Sequence, residues 1–357
     1  MIGNAFIEID GSFGEGGGSI LRLSAGYSIL FKRPIRVYNI RANRPKPGLR
    51  MQHLLGLKIL AEMTNSYLSH CEVGTEEIIF IPNRDHIIKT NIHVNINTSA
   101  SIGLLLQPIQ IACMGYNKPD KIEMNLEGGG TFGKWAPSLN YLNNVTYQIF
   151  KKSGLSMNLQ IGKHGFYPKG GAKTNCTILL PQERLNPINL TELGNLDVIR
   201  GEIILTNHLR QRKSNIGERI KNTINSLLEK TQNIETYITY KWVNSESPGV
   251  GLSLWANSDN GAIISTGTIL GEKNLTSEKL GKFAVKEILK YVENNIPVDN
   301  YLSDQLIPLM AYVKNSSRIK VLEITNHVKT NLELIKLFTN REYNILKENN
   351  YYIIEYL

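Results

Sequence analysis

The sequence is poor in cysteine, with three among 357 residues. Cys71, Cys113 and Cys176 lie far apart and form no Cys-x-x-Cys pair. A disulfide framework or a zinc knuckle needs closer or paired spacing, so both of these classes are excluded. We therefore expect three buried or free thiols.

Long apolar runs are also absent. The most apolar stretch, residues 102–114, contains Gln107 and Pro108 and is too short to span a bilayer. Glu8 and Asp10 interrupt any apolar segment near the start, so we expect no signal peptide. These features predict a cytoplasmic protein with no membrane partner.

Negative charge is in deficit. The chain has 40 Lys and Arg residues against 31 Asp and Glu, which gives a formal net charge of +9. That excess favours a polyanionic partner such as a nucleic acid or a nucleotide. Many basic proteins bind no polyanion, so charge alone leaves the partner open.

The apolar pattern alternates between strand and helix periods through the first 180 residues. Residues 5–10 and 35–40 predict strands, whereas residues 19–30 and 48–63 predict helices. This recurrence favours an α/β (α+β) fold built from repeated units, although no repeat is legible residue by residue.

The pattern changes from about Leu185, where a charged amphipathic helix at residues 216–230 lies between strand-like segments. We interpret this part as a compact α/β insert. The predicted large domain comprises residues 1–184 and 276–357, and the predicted inserted domain comprises residues 185–275.

A glycine-rich stretch at residues 10–19 joins the first predicted strand to the first predicted helix. Glycines allow a sharp turn and close approach to a ligand, and a helix N-terminus favours anions. The stretch lacks the Gly-Lys-Ser/Thr of a P-loop, and Ser19 stands where a dinucleotide fingerprint has its third glycine. Glu15 would repel phosphate unless Mg²⁺ or Mn²⁺ lay between them, so Glu15 is a candidate metal ligand; a simple tight turn is the alternative.

Two further stretches combine cations with stiff or aromatic residues. Residues 41–50 hold four cations, two prolines and a glycine directly before a helix, which suits phosphate binding. A solvated charged face is the alternative for that loop. Residues 164–171 could stack a base on an aromatic ring and hold a phosphate with Lys169, but a hairpin with packed aromatics explains them equally well.

A fourth candidate site lies near the C-terminus, where Tyr-Leu-Ser-Asp-Gln at residues 301–305 precedes Thr-Asn-His-Val-Lys-Thr-Asn at residues 325–331. A neutral imidazole can attack phosphorus and form a phosphoramidate. A lone histidine is more often structural, so His327 becomes a candidate nucleophile only in combination with the other stretches.

Taken together, these stretches resemble the RNA 3′-terminal phosphate cyclase family. Five motifs occur in the family's order between Ile7 and the C-terminal strand, and five in register are strong evidence where one would be weak. The motifs are Asp-Gly-x-x-Gly-Glu-Gly-Gly-Gly, Arg-Ala-x-Arg-x-Lys-Pro-Gly-Leu, His-Gly-Phe-Tyr-Pro-x-Gly-Gly, Tyr-Leu-x-Asp-Gln and His-x-x-Thr-Asn.

The resemblance implies a fold and a reaction. The fold is a large domain of repeated α/β units, similar to the C-terminal domain of a bacterial translation initiation factor, with a smaller α/β domain inserted. In the reaction His327 would attack the α-phosphorus of ATP, the AMP would pass to an RNA 3′-phosphate, and the 2′-hydroxyl would displace AMP to close a 2′,3′-cyclic phosphate. ATP, Mg²⁺ or Mn²⁺, and RNA with a 3′-phosphate end are thus the implied cofactors and partner, and a homo-oligomer is compatible.

The resemblance also implies roles for individual residues. Glu15 would bind the metal, and Lys46 and His53 would meet the RNA phosphate. The implied phosphate and nucleotide pocket comprises Arg22, Arg41, Arg44 and Gln52. The implied adenosine surroundings comprise Gln107, Pro137, Tyr301, Asp304 and Gln305.

The chain departs from the family pattern at two places. Phe132 follows Gly-Gly-Thr where many members have an acidic or polar residue, and Ala100 stands where the family usually has glycine. Both departures put details of the pocket in question, because alanine restricts the backbone more than glycine does.

Three rival functions follow from the same sequence. A non-catalytic cyclase-like protein of ribosome assembly shares the fold but lacks the nucleophilic histidine, so His327 argues against it. An enolpyruvate transferase uses similar repeated units but needs neither of the two C-terminal motifs. Simple RNA binding would account for the net positive charge, but it would give no function to Glu15 and His327.

Overall fold

The strands of the computed structural model form three four-stranded sheets and one five-stranded sheet. The structure describes residues 6–14, 16–83, 87, 89–212, 215–232 and 234–357. Helices cover the sheets, so the predicted α/β class is confirmed.

The first unit has the order strand, helix, strand, helix, strand, strand. Its sheet order is β1-β2-β4-β3, in which β1 and β2 are parallel and β4 is antiparallel to both neighbours. The elements are β1 (Ile7–Asp10), α1 (Gly18–Leu30), β2 (Ile35–Tyr38), α2 (Met51–Thr64), β3 (Tyr67–Leu68) and β4 (Ile78–Ile81).

The second unit repeats that topology, with the sheet order β5-β6-β8-β7 and a parallel pair β5 and β6. A π-helical turn at Leu142–Thr146 joins the two short helices of this unit. The elements are β5 (Asn91–Ser101), α3 (Ile102–Cys113), β6 (Lys121–Gly130), α4 (Leu139–Tyr141), α5 (Tyr147–Ser153), β7 (Ser156–Lys163) and β8 (Lys173–Leu179).

The next strand, β9 (Asn189–Leu190), is followed by the five-stranded sheet and its two helices. In this insert β10 pairs with β11 in parallel and with β12 antiparallel, while β13 and β14 both pair with β12. A 3₁₀ helix lies at Asn207–Arg212. The elements are β10 (Leu196–Thr206), α6 (Ile216–Gln232), β11 (Thr236–Val243), β12 (Val250–Ser258), β13 (Ile263–Ser265), β14 (Ile269–Leu270) and α7 (Ser277–Glu293).

The third unit resumes after the insert and has the same topology as the other two. Its first strand is β9, which pairs in parallel with the first strand after the insert, so the sheet order is β9-β15-β17-β16. The elements are α8 (Asn300–Tyr312), β15 (Ser317–Val321), α9 (Asn326–Lys336), β16 (Tyr343–Lys347) and β17 (Tyr352–Tyr356).

Three units of one topology therefore realise the repeated α/β pattern. Because β9 pairs with β15, the insert interrupts the third unit between β9 and α8. Within the insert, α7 packs against α6. The domain bounds of 185–275 stay a prediction.

One continuous core runs through the units and the insert, and it contains the buried, unpaired Cys71, Cys113 and Cys176, as expected. In the part of the chain that the structure describes, no helix is both long enough and apolar enough to cross a membrane.

A second, small cluster joins the large domain to the insert. The rings of Phe132 and Phe166 stack with centroids 5.1 Å apart and planes inclined by 7°. They pack on Ile204 of β10, with Val243 and Leu270 at the margin. The Phe132 ring lies so close to Gly251 that a Cβ there would overlap it. Phe132, a departure from the family pattern, thus links the second unit to the five-stranded sheet.

We expect the Phe132→Ala variant to lose roughly 3 kcal/mol of stability, because truncating a buried phenylalanine removes contacts and leaves a cavity. Thermal unfolding measures the loss, with Phe283→Ala on the exposed face of α7 as the control. Exposed substitutions change stability by about 0.5 kcal/mol or less. Equal midpoints for the two variants would show that the stack does not stabilise the fold.

Candidate active site

The side chain of Asn331 on α9 links three helices. Its Nδ2 donates to the backbone carbonyl of Asp304 on α8 at 2.7 Å, and its Oδ1 accepts from the hydroxyl of Tyr27 on α1. Both partners are fixed because Asn331 and Tyr27 are buried, where an unmade hydrogen bond is costly. This contact places the helix that carries His327 beside the helices that carry Arg22 and Asp304.

The glycine stretch meets α9 on the face that carries His327. Gly14 has φ +59° and packs so closely on Thr330 that a Cβ would overlap its hydroxyl. His327 and Thr330 are three residues apart in a helix and so share that face. His327 is exposed in the first turn, where backbone N–H groups favour an anion. His327, the candidate nucleophile, and the glycine turn are therefore neighbours.

Arg22 is the buried cation of the site. Its Nε donates to Oε1 of Gln107 on α3 at 3.1 Å, and Nη1 lies 3.3 Å from Nε2 of His53 on α2. Burial lowers the pKa of Arg22 to about 10, Asp304 opposes that shift and Arg41 adds to it. Arg22 therefore keeps its charge at neutral pH and contacts two other predicted residues, Gln107 and His53.

His53 stands between two hydrogen-bond donors. Its Nδ1 accepts from the backbone N–H of Arg50 at 3.2 Å, which leaves the proton of a neutral ring on Nε2. Burial and then the charge of Arg22 hold the pKa of His53 well below its ordinary value, so the ring is neutral. Nε2–H consequently faces the guanidinium of Arg22, which can only donate. An anionic oxygen beside both groups would accept from both.

The cationic loop, residues 41–50, lies over the glycine stretch. Arg44 Nη2 lies 3.0 Å from the position that a Cβ of Gly17 would take. Arg41 has φ +57°, and its Nη1 donates to the carbonyls of Lys46 at 2.7 Å and Gly48 at 2.9 Å. Burial, and then Arg50 and Arg44, lower the pKa of Arg41. Arg41 braces the loop, and its neighbours add positive potential.

The remaining residues predicted for this loop differ in placement. Lys46 is exposed on the loop. Gln52 is half-buried in the first turn of α2, next to His53.

Tyr301, Asp304 and Gln305 lie together on α8. The ring of Tyr301 covers Gly267, which has φ +66°, and a Cβ at Gly267 would clash with it. Gln305 donates to the carbonyl of Tyr301 at 2.7 Å and accepts from the hydroxyl of Thr146 at 3.1 Å. The helix thus presents a half-exposed aromatic ring beside the insert.

Pro137 lies near Tyr301, because the next residue, Ser138, bonds to Thr268 beside Gly267. The backbone N–H of Ser138 donates to Thr268 at 2.7 Å, and Gly267 next to it carries the Tyr301 ring. Pro137 also lies against the start of α3, where its carbonyl is 2.6 Å from the Cβ position of Gly103. The structure therefore brings Pro137 and Tyr301, two of the five residues predicted around the adenosine, to the same Gly267–Thr268 turn.

Glu15, the predicted metal ligand, lies outside the described residues. Among the residues that the structure does describe, no group of three or more His, Cys, Asp or Glu side chains is arranged to hold a metal ion. Asp10 accepts from the backbone and hydroxyl of Ser12 and from Asn39, so its carboxylate closes the turn.

Comparison with known proteins decides the family. A sequence profile described as RNA 3′-terminal phosphate cyclase matches residues 13–345. The chain belongs to the RNA 3′-terminal phosphate cyclase family. This confirms the resemblance drawn from the five motifs, and with it the predicted class of enzyme.

Curated relatives of the same name match over nearly their whole length. The cyclase of Methanopyrus kandleri is 33% identical over 94% of this chain and 93% of its own, and that of Thermococcus gammatolerans is 34% identical over 95% and 94%. The cyclase of Pyrococcus abyssi is 35% identical over 95% of each chain.

Several residues that organise the site were not predicted as part of it. Asn331 entered the sequence analysis only as the last residue of a motif, and Tyr27 only within the predicted helix at residues 19–30. Asp299 was not singled out. It caps α8 by accepting from the backbone N–H groups of Tyr301 and Leu302, both at 2.9 Å, and from the hydroxyl of Tyr141 at 3.0 Å. An aspartate before a predicted helix is an N-cap signal, which could have identified it.

The buried carboxyl of Asp299 should make the free energy of unfolding depend on pH. Burial raises its pKa to about 7, against the opposing N–H groups of Leu302 and Tyr301 and the Tyr141 hydroxyl. The folded protein therefore keeps a proton that the unfolded chain, with the ordinary aspartate pKa of 3.8, has already released. Stability contributed by the protonated carboxyl is present at low pH and is lost as pH rises to about 7.

We expect the wild type to lose about 3 kcal/mol between pH 5 and pH 8 relative to Asp299→Asn, because each unit of pKa shift is worth about 1.4 kcal/mol. Denaturant titration at both pH values measures the difference. Asp120→Asn, at an exposed carboxylate, is the control and should parallel the wild type. An unchanged pH slope in Asp299→Asn would mean that Asp299 is ionised in the folded protein.

Proposed function

We propose that the chain converts an RNA 3′-phosphate end to a 2′,3′-cyclic phosphate at the expense of ATP, through a covalent His327–AMP intermediate. The observation that supports this most directly is the contact of Gly14 with Thr330, which sets the His327 face of α9 against the glycine stretch. Nucleophile, anion-binding turn and buried arginine are then neighbours, as nucleotidyl transfer requires.

In the proposed first step an imidazole nitrogen of His327 forms a bond to the α-phosphorus of ATP while the bond to pyrophosphate breaks. An oxygen of the RNA 3′-phosphate then displaces the histidine and takes the AMP. The neighbouring 2′-hydroxyl finally attacks the 3′-phosphorus, loses its proton and expels AMP. Each step is phosphoryl transfer, so positioning and charge neutralisation supply most of the catalysis.

The phosphate side of the proposed pocket comprises Arg22, His53 and Arg44. The two facing donors of Arg22 and His53 are satisfied once an anionic oxygen lies beside them, and Arg44 extends the positive field over Gly17. We propose that Arg41 and Gln52 support this side, and that Lys46 and His53 meet the RNA phosphate.

The adenosine side of the proposed pocket includes Tyr301 and Pro137, which flank the Gly267 turn and offer flat or apolar surfaces to a base. Gln107 joins this side to Arg22. Asp304 and Gln305 hold the α8 end of the pocket.

For the metal we propose Mg²⁺ or Mn²⁺ at Glu15. Mg²⁺ is commonly held by one or two carboxylates together with substrate phosphates rather than by an all-protein cage, and the described residues offer no such cage. The bound cation would neutralise charge on the triphosphate. We also propose a cytoplasmic location.

Replacing His327 with alanine tests the nucleophile. Purified protein is incubated with α-labelled ATP and Mg²⁺ or Mn²⁺, and we expect an acid-labile covalent label on the wild type and none on His327→Ala. His93→Ala, at an exposed histidine of β5, is the matched control and should label normally. A label that persists on His327→Ala would exclude this nucleophile, and no label on folded wild type would favour the non-catalytic relative.

Gly18→Ala tests the phosphate side. A Cβ at Gly18 would overlap Nε2 of His53 and approach Nη1 of Arg22 to 3.0 Å, so both donors must move. We expect the labelling rate to fall at least tenfold (about 1.4 kcal/mol) and the ATP requirement to rise. Gly56→Ala in α2 meets only ordinary contacts at 3.6 Å or more and should keep wild-type labelling.

Equal labelling rates for Gly18→Ala and the wild type would remove His53 and Arg22 from the proposed pocket. Thermal unfolding of both glycine variants separates a local effect from a loss of fold.

A further inference from the structure

Two aromatic rings project into solvent from the loops beside the proposed adenosine pocket. Trp135 is 91% exposed and Tyr167 is 78% exposed, the two highest values among the large hydrophobic side chains that the structure describes. Trp135 also has φ +59°, a conformation that costs free energy in a non-glycine residue and persists only where the surrounding structure holds it. Both rings are exposed enough to contact a ligand, and the backbone of Trp135 is held in place.

The loops behind the two rings are fastened to each other. The backbone N–H of Thr131 donates to the carbonyl of Gly165 at 2.9 Å, and the Thr131 hydroxyl accepts from the N–H of Gly165 at 3.3 Å. One residue further along each loop, Phe132 and Phe166 form the stacked pair of rings. The paired Phe rings point inward, and the neighbouring Tyr167 points outward from the same support.

The loops that carry Trp135 and Tyr167 both contact one end of the β12–β14 strand pair in the insert. Gly251 of β12 pairs with Leu270 of β14, and the N–H of Gly271 donates to the carbonyl of Val250 at 2.9 Å, so Glu272 and Gly249 adjoin the same end of this strand pair. Lys134 binds Glu272 at 3.2 Å, and the Phe166 ring packs on Gly249. The residues directly before Trp135 and Tyr167 therefore contact adjoining positions of the insert.

This edge adjoins the proposed nucleotide pocket and is bordered by cations. Trp135 lies two residues before Pro137, so their Cα atoms are at most about 7 Å apart. The Lys134 ammonium lies 5.2 Å from the centroid of the Trp135 ring, and the exposed Lys169 follows Tyr167 by two residues. Separate rings, each flanked by lysine, suit a chain of bases and phosphates better than they suit a continuous apolar protein surface.

We infer that Trp135 and Tyr167 form a stacking platform for the bases of single-stranded RNA that lie upstream of the 3′ end, with Lys134 and Lys169 beside the backbone phosphates. Stacking of this kind tolerates any sequence, because every base has an aromatic face. The inference rests on the proposed function in taking RNA as the substrate.

The first measurement is binding without catalysis. The affinity of 5′-labelled single-stranded RNA with a 3′-phosphate is determined by fluorescence anisotropy in the absence of ATP. We expect Trp135→Ala and Tyr167→Ala each to weaken binding roughly five- to 150-fold, because each variant loses the stacking of about one base. Trp135→Phe should recover most of the affinity. Tyr237→Ala, at an exposed tyrosine of β11, is the matched control and should bind like the wild type.

An abasic scan identifies the contact as stacking. We expect wild-type binding to weaken when one particular base near the 3′ end is removed, and Trp135→Ala to lose little more at that position. Covalent labelling by α-labelled ATP, which needs no RNA, should remain at the wild-type rate in Trp135→Ala and shows that the variant folds.

The outcomes separate this inference from the proposed function. Wild-type RNA affinity in both Trp135→Ala and Tyr167→Ala would overturn the platform while leaving cyclisation intact. Ring-dependent RNA binding by a wild type that forms no cyclic phosphate would support the platform and defeat the proposed reaction. A wild type that binds no single-stranded RNA would overturn the platform.

Discussion

The buried amide of Asn331 is the interaction on which the rest of the site depends. It donates to Asp304 and accepts from Tyr27, so both of its polar ends are used inside the core. Directional bonds fix the register of packed helices more closely than apolar contact alone, because a shifted helix would leave buried polar groups unpaired. The helices α9, α1 and α8, which carry His327, Arg22 and Asp304, are therefore held in one relative placement.

The repeat explains why these helices converge. In each unit one helix crosses between the two parallel strands, namely α1, α3 and α8. Each supplies one polar side chain to a common centre: Arg22 bonds to Gln107 and lies in the field of Asp304. The glycine stretch, the cationic loop and the His327 turn all follow the carboxyl ends of parallel strands, where open α/β sheets usually bind ligands. The repeat was illegible in the sequence because its units share topology and not residues.

Local signals predicted most of the elements and all of the motifs, while pairings between distant residues stayed beyond the sequence. The helix predicted at residues 19–30 is α1 (Gly18–Leu30), and the one predicted at residues 48–63 is α2 (Met51–Thr64). Residues 262–270 form two short strands and not one, because Gly267 turns with φ +66° beneath the ring of Tyr301. β9 has two residues, too few to show a period, yet its pairing with β15 defines where the third unit begins. The bond from Tyr27 to Asn331 spans 304 positions, and no local pattern announces it.

Phe132 shows how a departure from a family pattern can be balanced elsewhere in the chain. A large ring at that position needs an apolar partner and free space. Phe166 stacks on the ring, and Gly251 leaves room for it because it has no side chain. The insert is thereby packed directly behind the loop that carries Pro137. Its Gly267 turn supports Tyr301 in the same way, since a side chain at that position would clash with the ring. The insert thus packs against the loop of the candidate residue Pro137 through Gly251 and Phe132, and against the candidate residue Tyr301 through Gly267.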